Sequence, residues 1–253
     1  MHIYTVALSK GGSTKTTTAA ELVAALARDE RKVLAIDLDQ QGNLSVRLGV
    51  TPNMEVEAVA AEVLTGAAEA TAATPSPAVP GAWVLPGTHD LAGLEQRPEI
   101  ISSLRDHLPR LADTYDAVVI DTPPASSLST LAALAAADTI VAAVACTTEA
   151  LDQLQPLASV ISHRIAPLLN PGAGINWIVP TRCDRRRLLD REVLEELETQ
   201  WPGRVTHPIR EAVAVRDSYT AAQPISVYAP TAGVSQDYAP VSYTHLRAHE
   251  TEA

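Results

Sequence analysis

Ser9-Lys10-Gly11-Gly12-Ser13-Thr14-Lys15-Thr16-Thr17-Thr18 follows an apolar run at residues 3–8 and leads into a helical pattern. Lysines, glycines and hydroxyls at a strand-to-helix junction are the parts of a phosphate cradle. Backbone N–H groups of the loop point at the anion, Lys15 supplies a point charge, and the Thr16 hydroxyl is left for a metal ion. The candidate nucleotide-binding set is Gly11, Gly12, Ser13, Thr14, Lys15, Thr16 and Thr17, and the chemistry is that of a nucleoside triphosphate site. Further carboxylates follow two other apolar runs: Asp37 and Asp39 after residues 32–36, and Asp121 after residues 117–120. Acidic groups just past the carboxyl ends of strands lie where open α/β sheets bind ligands.

The common phosphate-loop pattern, G-x-x-x-x-G-K-[ST], is not matched, because Ser9 and Thr14 stand where it has glycines. The loop instead resembles the deviant Walker A form, K-G-G-x-G-K-[ST]-[ST], of the ParA/MinD family of partition and positioning ATPases. That resemblance implies a role for Lys10 on the phosphates bound by the partner subunit of a dimer. Thr14 departs even from the deviant form. If its position requires φ > 0, a β-branched side chain there costs roughly 1–3 kcal/mol, and nucleotide affinity is the property at stake.

Asp37-Leu38-Asp39-Gln40-Gln41-Gly42-Asn43 resembles the family's D-x-D-P-Q-x-N stretch. The likeness gives Asp39 the attacking water, so that Lys10, Lys15 and Asp39 form the catalytic set, and gives Asp37 support of the metal and switch region. Gln40 replaces the family's proline, which leaves the turn less restrained. Read without the resemblance, both aspartates could cap a helix starting near Leu44. Tyr115-Asp116, the apolar run and Asp121-Thr122-Pro123-Pro124 resemble the second switch, which makes Asp121 the Walker B residue. Thr16, Asp37 and Asp121 are thus the candidate Mg²⁺ residues, Thr16 directly and Asp121 usually through water. Pro86-Gly87 and Leu91-Ala92-Gly93-Leu94-Glu95 resemble the family's following segment, with little functional content.

The elements that must position these groups are readable from periodicity. Strands are expected at residues 3–8, 32–36, 83–85, 117–120, 139–145 and 175–180, as near-continuous apolar runs of a parallel sheet covered on both faces. Helices are expected at 15–28, where Ala19, Leu22, Val23 and Leu26 share a face, in the alanine-rich stretch 55–71, after Thr148 as a cap with Glu149 in its first turn, and at 188–201. Residues 74–81 read as a proline-broken surface loop. The fold class is α/β, a doubly wound, mostly parallel sheet with helices on both faces. A chain of 253 residues, 46% hydrophobic and without phenylalanine, suits one large domain with a Leu, Val, Ile and Ala core.

The net charge of −11 excludes a protein coated in nucleic-acid-binding surface, so any DNA contact must come from a patch. Arg182, Arg185, Arg186, Arg187 and Arg191 supply one, and the first four are the candidate DNA-binding residues by the family's likeness, Arg186 sitting at a matching position. Asp184, Asp190 and Glu192 could equally pair them into a solvated helix start. Residues 207–225, through Arg210, resemble the closing segment beside the nucleotide base, which makes Arg210 a further candidate nucleotide contact. Cys146 and Cys183 form no C-x-x-C pair, so no disulfide framework, zinc site or iron–sulfur cluster is expected, and both read as buried thiols.

No apolar run approaches the roughly 20 residues that span a bilayer, and no charged-then-apolar leader opens the chain, so a cytoplasmic protein without a membrane is expected. Residues 1–240 read as one ATPase domain lacking its last helix, and 241–253 as an adapter-derived, non-native tail. The resemblance implies ATP and Mg²⁺ as cofactors, an ATP-dependent homodimer, nonspecific DNA bound on the nucleoid, and a ParB-like centromere-binding partner that stimulates hydrolysis to segregate plasmid or chromosome copies. The alternatives are a MinD-like membrane-positioning ATPase, a metabolic ATP-dependent enzyme of the same fold, and an inactive module that folds without turnover.

Overall fold

The computed structural model describes residues 1–8, 14–124 and 127–241; the expectations for Lys10, Gly11, Gly12, Ser13 and residues 242–253 lie outside them. In chain order the elements are β1 (His2–Ala7), α1 (Lys15–Arg28), β2 (Val33–Asp37), α2 (Asn43–Arg47), α3 (Ala60–Thr65), β3 (Thr74–Pro75), β4 (Ala82–Leu85), α4 (Ser103–His107), β5 (Ala117–Asp121), α5 (Leu128–Ala136), β6 (Thr139–Ala145), α6 (Thr148–Leu151), α7 (Leu154–Val160), β7 (Ile175–Thr181), α8 (Leu188–Gln200), α9 (Ala214–Thr220), α10 (Ile225–Tyr228) and α11 (Gly233–Pro240). Two 3₁₀ segments, His89–Gln96 and Pro98–Ser102, join β4 to α4.

The seven strands form one sheet in the order β3-β4-β2-β5-β1-β6-β7. All neighbours are parallel except β3, which runs antiparallel to β4. Strands β2, β5 and β6 are buried along their whole length, as continuous apolar runs covered on both faces require. One face packs against α1, with Ala20, Val23 and Leu26 beside Val6, Ala35 and Val119. The other carries the α3 to α5 region, where Leu64, Leu104 and Ala132 meet Leu34, Ile36 and Ile120. Every residue of α5 after Leu128 is buried, and five of its nine residues are alanine or threonine. Small side chains there let helix and sheet approach closely, which accounts for a core built without phenylalanine.

Register places the chemistry. Asp37 and Asp121 are Cα partners at the ends of β2 and β5, and Val6 of β1 lies beside Asp121. The strand after which the phosphate loop begins is therefore flanked by the strand that ends in Asp121, with Asp37 one strand further. Among the described residues no helix is long and apolar enough to cross a membrane.

Several expectations are corrected. The stretch 55–71 is helical only over Ala60–Thr65 and a short 3₁₀ turn: the chain turns at Pro52, where Met54 N donates to the Thr51 carbonyl, and residues 55–59 have no regular structure. Thr74–Pro75, read as loop, adds an edge strand to β4, a place where proline is tolerated because one side of an edge strand has no ladder to join. The cap of α6 is Thr147, whose hydroxyl accepts from Ala150 N, and not Thr148. Cys146 and Cys183 are joined in a disulfide with Cα atoms 5.3 Å apart. β6 and β7 run in register to Ala145 and Thr181, so the two cysteines just beyond them emerge at the same edge. Sequence spacing does not reveal that adjacency.

Candidate functional site

Thr14 closes the phosphate loop and opens α1 with φ 68° and ψ 21°. The left-handed conformation feared from the sequence is therefore present on a β-branched residue, strained by roughly 1–3 kcal/mol. Part of that strain is offset locally. The Thr14 hydroxyl donates to Thr181 Oγ1 at 2.7 Å, and Thr181 in turn donates to the Val144 carbonyl at the end of β6. Glycine at position 14 would relieve the strain but lose this bond and enlarge the unfolded ensemble. Thr14→Gly is thus expected to melt within about 3 °C of wild type, while Thr14→Val, which keeps the strain and loses the bond, melts lower by roughly 2–4 °C. Thermal unfolding of the two variants checks that order.

Lys15 is buried at the first turn of α1. Burial lowers its pKa, while the carboxylates of Asp121 and then Asp39 hold the proton on. No acidic residue occupies that turn, and among the described residues no side chain caps it. The N-terminal N–H groups and the helix dipole are thus directed at whatever anion the preceding loop binds.

Asp121 is fully buried at the end of β5, and neither carboxylate oxygen has a hydrogen-bond partner among the described residues. Burial first, then the neighbouring Asp37 and Asp39 charges, raise its pKa to about 8, while the Thr16 hydroxyl and Lys15 act against that rise. A carboxylate buried this way and left without donors is the group a divalent cation satisfies. The donor set of Asp121 and Thr16 beside a buried lysine fits Mg²⁺ held with a triphosphate.

Asp37 behaves differently. Its Oδ2 accepts Ser45 N at 2.9 Å and Ser45 Oγ at 2.7 Å, and its Oδ1 accepts Asp39 N at 3.1 Å. Burial raises its pKa to about 6 in spite of those bonds. Asp37 therefore ties the Asp39 turn to the first turn of α2. This includes the helix-end role the spacing allowed, although the N-cap position itself is Gly42.

Asp39 is half-buried and closes its own turn, its Oδ1 accepting Gln41 N at 3.0 Å and its carbonyl accepting Gly42 N at 2.9 Å. The turn that lacks the family's proline is thus pinned by other means. Gly87, which follows β4, lies against it: a Cβ there would stand 2.2 Å from the Asp39 carbonyl and 2.9 Å from that of Asp37. Gly87 N also donates to Ser45 Oγ at 3.2 Å. Gly87→Ala must displace backbone, and we expect it to cost on the order of 3 kcal/mol, read as a lowered melting temperature together with faster amide exchange at residues 38–42.

Beside Thr14 opens a cavity of about 230 Å³ lined by Thr17, Thr181, Ile209, Arg210, Val215 and Tyr238 among others. Contiguity with the phosphate loop and an apolar wall suit a purine base. Arg210 stands at its rim with the guanidinium held by Asp237 at 2.6 and 2.7 Å. Tyr238 OH lies 3.2 Å from Thr18 Oγ1. Neither Thr181 nor Tyr238 was singled out from the sequence.

Arg185, Arg186 and Arg187 line a neighbouring cavity of about 530 Å³, and Arg182 lies at the rim of the first. Arg186, almost fully exposed, bonds Asp184 at 2.8 Å; Arg187 approaches Asp184 and Glu211, both at 3.7 Å; Arg182 reaches Glu211 at 3.3 Å. Hydrogen bonds from Arg186 pull the Asp184 carboxyl down to about 2. Both readings of this segment survive, since the side chains project outward yet are paired with acids. Exposed pairs of this kind are worth about 0–1 kcal/mol each and do not bar a phosphate.

Comparison with known proteins agrees with this geometry. The family described as the AAA domain matches residues 1–171. The chromosome partitioning protein ParA of Caulobacter vibrioides is 33% identical over 245 residues, covering 94% of this chain and 91% of that one. Cobyrinic acid a,c-diamide synthase of Mycobacterium smegmatis, solved with a bound ATP analogue and magnesium, superposes with a TM-score of 0.77 at 31% identity, covering 88% of this chain and 93% of that one. The cell division ATPase MinD of Pyrococcus furiosus gives a TM-score of 0.77 at 24% identity over 100% of this chain and 99% of that one, a likeness of fold.

Proposed function

This chain belongs to the ParA/MinD family of ATPases, with ATP as substrate and Mg²⁺ as cofactor, and we propose that within it the protein is a partition switch. Its ATP state would be a dimer that binds DNA without regard to sequence, and hydrolysis would reset it. The observation that carries the nucleotide chemistry is the fully buried Asp121 carboxylate, which has no hydrogen-bond partner among the described residues and feels Lys15 and Thr16 beside it. Asp121 and Thr16 would hold Mg²⁺ there, and the cation would supply positive charge beside the phosphates that Lys15 binds. Lys15 holds the phosphates, Asp39 orients the attacking water, and Lys10 acts across the dimer on the partner's phosphates. ATP drives closure only by binding the closed state better than the open one, and Lys10 supplies that difference. The DNA surface is Arg182, Arg185, Arg186 and Arg187, whose outward placement supports the reading, and a ParB-like protein is the expected stimulator of hydrolysis.

Sedimentation with no nucleotide, with ADP and with ATP plus Mg²⁺, each with and without random-sequence duplex DNA, tests this. An ATP-specific dimer that binds DNA, lost in Lys10→Ala and persistent in Asp39→Ala, is expected. A monomer indifferent to ATP would overturn the switch. An ATP dimer that ignores DNA would redirect the reading to a membrane-positioning or metabolic ATPase.

A further inference from the structure

Glu95 is the penultimate residue of the 3₁₀ segment His89–Gln96, in a stretch whose sequence carried little functional signal. Its carboxylate grips the start of α5: Oε2 accepts Leu128 N at 2.8 Å and Oε1 accepts Ser129 Oγ at 3.0 Å. Ser127 Oγ caps the same helix by accepting Thr130 N at 3.1 Å. The chain leaving Asp121 through Thr122, Pro123 and Pro124 therefore re-enters the fold at a point fixed by Glu95. The Asp121 end is fixed as well, because Leu38 N donates to its carbonyl at 3.0 Å and Thr122 Oγ1 donates to the Val6 carbonyl at 2.9 Å.

The residues just before that segment support the other carboxylate loop. Gly87 packs under the Asp39 turn and donates to Ser45 Oγ, which Asp37 holds. Asp39, Gln40, Leu91, Glu95, Pro123 and Pro124 line one shared cavity of about 630 Å³. Nine residues of chain thus touch both loops on which the γ-phosphate chemistry depends.

We propose that Glu95 is a positioning residue for ATP hydrolysis, locking the loop after Asp121 to the segment that braces the Asp39 turn, so that the two carboxylates keep their relative placement. Glu95 touches neither phosphate nor water in this role. It acts through α5 and the proline pair, which restrict the loop to moving as a unit. Displacements of about 1 Å in a positioned group can cost up to 10²-fold in rate, whereas ATP binding, carried by the phosphate loop and the base cavity, is left intact.

Three variants separate positioning from a merely structural cap: Glu95→Ala, Glu95→Gln and Ser129→Ala. The readouts are kcat, the dissociation constant of a fluorescent ATP analogue with Mg²⁺, and amide exchange resolved by peptide. Glu95→Ala is expected to lower kcat by about 5- to 50-fold with analogue affinity within about 2-fold, and to speed exchange in residues 121–130 only. Glu95→Gln keeps an acceptor for Leu128 N and retains most of the rate, while Ser129→Ala falls between them. Unchanged kcat in Glu95→Ala overturns the proposal, as does a loss of analogue affinity matching the loss of rate, or faster exchange throughout the chain. If Glu95→Ala does not fold, Ser129→Ala carries the test, and a wild-type kcat there overturns the proposal equally.

Discussion

Asp39→Ala is expected to lower kcat for ATP hydrolysis by roughly 10²–10⁴-fold, the range a positioned general base contributes, while ATP affinity stays within about 3-fold or tightens. Two effects compete in this variant. Loss of the carboxylate removes the group assigned to the water, but it also removes the Oδ1 bond to Gln41 N that closes the turn. That bond is exposed and worth about 1 kcal/mol, too little to explain a hundredfold loss unless the turn itself is the catalyst. Asp39→Asn separates the two, because the amide oxygen still closes the turn. Single-turnover hydrolysis with both variants decides the matter. An equal loss in Asn and Ala assigns the charge to the chemistry, whereas near-normal hydrolysis by Asp39→Asn would leave Asp39 only a turn former. Affinity is not expected to fall, since Asp39 places negative charge near Lys15 and Asp121, and an anionic triphosphate gains from its removal.

Much of this site was legible because its parts are local. Residues 15–28 show an apolar face with helical spacing, and α1 occupies those residues; residues 140–145 are uniformly apolar, and β6 runs through them from Thr139. The strain at Thr14 could be anticipated from one residue type at one loop position. What the sequence concealed depends on neighbours distant along the chain. Gly87 matters because β4 sets it against a turn 48 residues earlier, and Glu95 because α5 begins beside it 33 residues later. Cys146 and Cys183 pair because β6 and β7 end level with each other, 37 residues apart. The stretch 55–71 misled for the opposite reason: alanine content favours helix, but Pro52 and the packing of Ala58, Ala60 and Leu64 under the sheet confine the helix to one and a half turns.

Asp121→Asn is expected to move stability and activity in opposite directions. The folded pKa of Asp121 lies above the unfolded value near 3.8, at about 8, chiefly because burial disfavours its charge. A group raised in this way costs nothing below pH 4, where it is protonated in both states. Its penalty grows as pH rises through the window from about 4 to 8, where the unfolded chain has released the proton and the folded chain has not. Asp37 adds a smaller penalty of the same sign between about 4 and 6. Stability of the nucleotide-free protein in chelator is therefore expected to fall across that range, and the fall is shallower in Asp121→Asn, where only the Asp37 part remains. Against this, the variant removes a charge that favours protonated Lys15. Asp39 still serves that lysine, and the cost of a buried carboxylate without donors outweighs the lost attraction. A net gain of about 1–2 kcal/mol at pH 8 raises the melting temperature by roughly 3–6 °C. Added ATP and Mg²⁺ reverse the order. The wild type gains stability in proportion to RT ln(1 + [L]/Kd), whereas the variant lacks the carboxylate that holds the cation and gains little, and its hydrolysis falls by about 10³-fold or more. Thermal melts from pH 5 to 8.5, in chelator and then in Mg–ATP, check both signs. A variant less stable than wild type in chelator at pH 8 would mean that Asp121 already has an effective partner in the resting protein, and that its charge is structural before it is catalytic.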